Sequence, residues 1–131
     1  MNGQNNLDIL LKDMRPELQE GPYVFLTSRN GFSADVQNDA IMIFRETEGI
    51  TAIVREMTAR TLQKDAQPHW AMITLTIHSD LNAVGFLAAI TAKLAQAGIS
   101  VNPVSAYFHD HLFIPWKKRD EAMRVLQSFN K

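Results

Sequence analysis

Apolar residues recur at Leu7, Leu10, Leu11 and Met14, the i, i+3, i+4, i+7 spacing that lays one stripe along a helix. Pro16 lacks a backbone donor and ends that helix. Beyond Gly21-Pro22 the pattern changes, and PYVFLTS, aromatic and β-branched, predicts a strand. SRNGFSADVQND is polar and rich in turn formers; the reading is a loop, residues 29–40, to which no chemistry is assigned. AIMIFRE and ITAIV predict two strands around Thr47-Glu48-Gly49, where glycine accommodates a tight turn. Arg55 to Leu62 reads as a short helix, and Gln63 to His69 as a linker.

The second half is more regular. From Trp70 to His78 residues alternate: Ala71, Ile73, Leu75 and Ile77 face one way, Met72, Thr74, Thr76 and His78 the other. From about Asn82 to Ala97 the period becomes helical, with Leu87, Ile90, Leu94 and Ala97 in one stripe and Gly98 at the C-cap. NPVSAYF and HLFIP predict two strands joined at His109-Asp110, and Asp120 to Phe129 a last helix burying Ala122, Val125, Leu126 and Phe129. That β-α-β-β-α string is one strand short of a ferredoxin-like βαββαβ unit. The first half reads α-β-β-β-α. The expected class is therefore α+β, a ferredoxin-like two-layer sandwich in which two half-modules, 1–68 and 69–131, complete each other through an exchanged strand.

Composition narrows the function. The 131 residues suit one compact domain with a core of its own, and 46% are hydrophobic. The absence of cysteine excludes disulfides, thiolate metal sites and thiol nucleophiles. A net charge of −1 gives no electrostatic reason to expect nucleic acid or an anionic membrane as partner. MNGQNN has neither a basic n-region nor an apolar h-region, and the most apolar window, Ala83 to Ile99, is interrupted by Thr91, Lys93 and Gln96. The expected compartment is the cytoplasm.

WAMITLTIHSDLNAVGFLAAITAKLAQAGISVNPVSAYFHDHLFIP resembles the ACT-domain family. Within it, the stretch is similar to an uncharacterised bacterial ACT-like group and to the ACT modules of the eukaryotic cytosolic arginine sensor. His78-Ser79 at a strand end, Val84-Gly85-Phe86 opening a helix, Ala97-Gly98-Ile99 and Ser105-Ala106-Tyr107 before Asp110 carry the resemblance. EGITAIV extends it into the first half, so that 1–68 reads as an N-terminal ACT-like half-module and 69–131 as a C-terminal module. The resemblance implies a regulatory protein that binds a small molecule, an amino acid first of all, without catalysis or cofactor. Its expected contacts are His78, Ser79, Asp80, Leu81, Asn82, Val84, Gly85 and Phe86. The residue types agree: a helix N-terminus favours a carboxylate, and Asp80 and Asn82 could take an α-amino group. Plainer roles stand beside these. Asp80 or Asn82 could be an N-cap, Gly85 could serve close packing, and Tyr107 and Phe108 could be core or interface.

Other chemistry is less well supported. His69, His78, His109 and His111 show no H-x-x-H or HExxH spacing on a helix, and a turn at His109-Asp110 would send neighbouring histidines apart. No metal site is expected. There is no G-x-S-x-G, P-loop or G-x-G-x-x-G to support catalysis; the alternative, a small enzyme or metal-binding protein, rests on His78 and Asp80 as an acid–base pair. In the second hairpin Val104, Ala106, Phe108, His111 and Phe113 share one face, and Ser105, Tyr107, Leu112 and Ile114 the other. Two helices can cover only one of these largely apolar faces. The other half-module or a second subunit would have to cover the second, so a homodimer or higher homo-oligomer is expected.

Overall fold

Strong periodicity produces the expected elements: β2 (Tyr23–Ser28), β4 (Ile50–Arg55), β5 (Trp70–Thr76), α4 (Phe86–Gln96) and α5 (Arg119–Gln127). The helix at the start of the chain, α1 (Gly3–Asp13), also forms, and β3 (Met42–Arg45), α3 (Glu56–Thr61), β6 (Asn102–Ser105) and β7 (Asp110–Pro115) complete the expected set. The computed structural model describes residues 3–64, 66–77 and 84–131. Two further elements lie where none was expected. β1 (Arg15–Leu18) follows α1, and α2 (Ala34–Asp39) occupies part of the presumed loop, with the Val36 amide donating to Ser33 Oγ at its N-cap.

Two compact units result, one of Gly21–Trp70 and one that joins Met1–Glu20 to Ala71–Lys131. In the first, the strand order is β3-β4-β2, antiparallel throughout, with Val24 opposite Val54 and Ile43 opposite Ala52. Alternation puts Val24, Leu26, Ala52 and Val54 on the face that receives Val36 of α2 and Ala59 of α3.

In the second unit, β1 pairs antiparallel with β5, Arg15 opposite Thr76 and Leu18 opposite Ile73. β5 neighbours β7, which neighbours β6. The order β1-β5-β7-β6 is the fourth-first-third-second order of a ferredoxin-like unit, with its fourth strand drawn from the start of the chain. The exchanged strand is thus RPEL. Pro16 is tolerated there because β1 pairs on one side, which leaves a missing N–H without consequence. Ile73, Leu75, Leu112 and Ile114 meet Phe86, Ile90 and Leu94 of α4 and Ala122 and Leu126 of α5 over one core, which Met14 also enters.

Three local expectations change. α4 starts at Phe86, so Gly85 holds the position before the first helical residue. The β6–β7 hairpin turns at Tyr107-Phe108, because Ser105 pairs with Asp110 and the Ala106 amide donates to His109 O at 3.0 Å. Phe113, on the face expected to need the other half-module or a second subunit, is 1% exposed in the single chain, so its burial needs no second subunit. Among the described residues, the exposed apolar side chains include Tyr107 and Phe108 at the hairpin tip and Ile43 and Phe44 on β3.

Candidate functional site

Two consecutive elements, β5 and α4, define the region expected to bind a ligand. Five of its residues, His78, Ser79, Asp80, Leu81 and Asn82, lie outside the described residues. Val84 is 90% exposed at the foot of α4. Gly85 adopts φ +87° and ψ −6°, the left-handed region where a Cβ is strained. A Cβ at Gly85 would meet Leu7 Cδ2 at 3.5 Å, an ordinary contact, so glycine is required by its dihedral and not by lack of space. Phe86 is buried in the core with Ile90 and Leu94, and its side chain is directed away from solvent. Its backbone N–H belongs to the first turn of α4, which no side chain among the described residues caps. Such a turn, with its dipole, suits a carboxylate.

At the other end α4 closes as expected. Gly98 has φ +75°, the Ile99 amide donates to Leu94 O at 3.0 Å, and Ile99 is buried beneath the turn. This is the glycine-terminated C-cap that fixes where α4 stops.

A second polar constellation, which the sequence reading did not assemble, lies on the sheet face turned away from these helices. Register puts Glu17 of β1 opposite Thr74 of β5. Gln19 Nε2 donates to Thr74 Oγ1 at 3.1 Å, and Thr74 Oγ1 is 2.9 Å from His111 Nδ1. Thr74 is a buried polar residue. His109, just before β7, and His111 on it have ring centroids 6.4 Å apart. His109 Nδ1 is buried and has no hydrogen-bond partner among the described residues. Burial, and then the neighbouring His109 charge, hold the His111 pKa below its ordinary 6.5, against a weaker pull from Asp110. Alternation already put Thr74 on this face. His111 could not be joined to Thr74 without knowing that β5 neighbours β7, nor Gln19 without knowing that β1 exists.

In the unit of Gly21–Trp70, a depression of about 350 Å³ is lined by Glu56, Arg60, Gln63, Lys64 and Ala66. Arg60 is held by Glu56 at 2.9 Å, one turn apart on α3. Among the described residues, no group of three or more His, Asp or Glu side chains could hold a metal ion, and no helix is long and apolar enough to cross a membrane.

Comparison with known proteins adds the following. A family model described as an ACT domain matches residues 2–68, and a second model, also an ACT domain, matches residues 65–128. The crystal structure of a Vibrio cholerae protein of unknown function, described as a possible transport protein, is 38% identical over 99% of this chain and 100% of that one, with a TM-score of 0.89. A protein from Agrobacterium tumefaciens shares the fold at 14% identity, a TM-score of 0.76 and 89% coverage of each chain. The regulatory subunit of aspartate kinase from Thermus thermophilus, in its ligand-free form, does so at 10% identity and a TM-score of 0.66, over 92% of this chain and 99% of that one. No curated protein sequence matches.

Proposed function

The chain belongs to the ACT-domain family, and from that premise we propose that it is a regulatory module that binds a small carboxylate-bearing molecule, an amino acid first of all, and carries out no reaction of its own. The observation that carries this reading is Gly85, whose left-handed backbone turns the chain into α4 and leaves the first-turn N–H groups free of any described side-chain cap. The proposed contacts are His78, Ser79, Asp80, Leu81 and Asn82, which precede α4 in sequence, with Val84, Gly85 and Phe86 at the helix start. Phe86 contributes through its backbone, since its ring is committed to the core.

The likeness to aspartate kinase regulatory subunits supports a role in control, with the signal passing through self-association or a separate partner. A thermal-shift screen of the full chain against the twenty amino acids tests the reading. The resemblance to arginine-sensor modules makes arginine an early candidate. Ligand at a hundred times its Kd should add about 2.7 kcal/mol of stability. A screen in which no amino acid raises the melting temperature counts against the proposal.

A further inference from the structure

The first twenty residues supply an edge strand to a unit whose other strands come from the far end of the chain. Gln19, just past β1, fastens that strand twice. Its amide donates to Met72 O at 2.9 Å, and its side chain donates to Thr74 Oγ1 at 3.1 Å. The second bond belongs to a chain of three side chains, because Thr74 Oγ1 lies 2.9 Å from His111 Nδ1.

Proton counting gives this chain a direction. Gln19 Nε2 is a donor, so Thr74 Oγ1 accepts from it and has its own proton to give. Neutral His111, protonated on Nε2, offers Nδ1 as the acceptor, and the Thr74 hydroxyl both accepts and donates. Protonated His111 carries N–H on Nδ1. Thr74 Oγ1 then faces donors from both sides, and its hydroxyl proton has lost its acceptor at a site 6% exposed. The surroundings reinforce this preference. His109, just before β7, has its ring centroid 6.4 Å from that of His111, and a charge there opposes a proton on His111. Two charged groups face the other way. Asp110 precedes His111 but is tied to Ser105 Oγ, and Glu17, opposite Thr74 on β1, is exposed to solvent. Arg15, opposite Thr76 on β1, is the further charge on this face and is held on the Lys12 and Met14 carbonyls, while Val104 on β6 and Met72 and Thr76 on β5 bring none.

We propose that His111 is a proton-sensitive fastener for the exchanged strand: neutral, it completes the Gln19–Thr74–His111 chain, and protonated, it leaves the Thr74 hydroxyl proton without its acceptor, weakens that chain and loosens the end of β1. The depressed proton affinity of His111 agrees with this. Because the unfolded chain then takes up the proton more readily than the folded one, the contribution is complete above pH 6.5 and declines as pH falls.

Nuclear magnetic resonance on the full chain tests the fastener. His111 should titrate below 6.5, and the Gln19 side-chain amide resonances should move with the same midpoint. Corrected for intrinsic rates, exchange of the Gln19 amide should be severalfold faster at about pH 5 than at about pH 8, the range in which imidazoles titrate. His111→Gln keeps an acceptor for Thr74 and should abolish that pH dependence. Thr74→Val removes the bond that favours neutral His111 and should move the His111 midpoint upward, a readout that serves even where His111→Gln does not fold. A His111 midpoint at or above 6.5, a midpoint unmoved by Thr74→Val, or the same pH-dependent exchange in His111→Gln as in the wild type overturns the proposal.

Discussion

Asn130 reaches back across the chain to Met14: its Nδ2 donates to Met14 O at 2.6 Å and to Lys12 O at 3.0 Å. These carbonyls lie at the end of α1, where a helix leaves acceptors without intrahelical partners. The last residues of the chain thus cap the helix that delivers the exchanged strand. Asn130→Ala should cost about 1–2 kcal/mol, the net worth of one or two such hydrogen bonds. Urea unfolding with an unchanged slope and a lowered midpoint would bear this out.

Gly85 separates a dihedral requirement from a packing one. Its φ of +87° lies where a residue with a Cβ is strained. Space is available at 3.5 Å from Leu7 Cδ2, so the cost is the left-handed conformation, about 1–2 kcal/mol for Gly85→Ala. Gly85→Asn should cost less than Gly85→Ala, because asparagine visits that region more readily. Equal losses for Ala and Asn would point to packing instead, and thermal unfolding of the two variants decides.

Asp39 gives a pH-dependent prediction in the unit of Gly21–Trp70. Burial raises its pKa, but hydrogen bonds from Thr58 and Arg55 outweigh that and leave it below 3.8. An unfolded chain binds the proton more tightly, so the stabilisation is present above pH 3.8 and is lost as pH falls through the folded-state value. Asp39→Asn should lower stability at neutral pH by about 1 kcal/mol and flatten the acid limb of the stability curve. An acid limb identical to the wild type's would refute this.

How far the sequence could be read depends on which forces shape each element. α4 and α5 were legible because their apolar spacing survives in any tertiary setting. β1 was not, since Arg15, Pro16 and Glu17 give no strand signal and become a strand only by pairing with β5, more than fifty residues away. α2 buries Val36 alone among its six residues, too little to set a period. The hairpin tip was misplaced because Tyr107 and Phe108 look like strand residues and Asp110 like a turn residue, whereas Asp110 pairs across the ladder with Ser105. At the candidate site the glycine before α4 was readable as a residue type. The left-handed geometry of Gly85 and the Thr74–His111 bond were not, because the first is a dihedral and the second needs strand order.

Self-association has a specific expected location. β3 pairs with β4, and its Ile43 and Phe44 are 43% and 60% exposed. An apolar strand edge of this kind is a template for pairing with another copy. Sedimentation of the wild type should show a species larger than 14.8 kDa, and Phe44→Lys should shift it towards monomer. A wild type that sediments as monomer at high concentration rules this out.

The claim that this is a ligand-binding module is tested most directly by amide chemical-shift mapping of the full chain, titrated with the amino acid that raises its melting temperature most. The account predicts saturable shifts concentrated on Gly85, Phe86 and Leu87 at the start of α4, weakened or lost in Gly85→Ala under conditions where that variant is folded. Shifts centred instead on Glu56, Arg60 and Lys64, or no saturable shift with any amino acid, would contradict it.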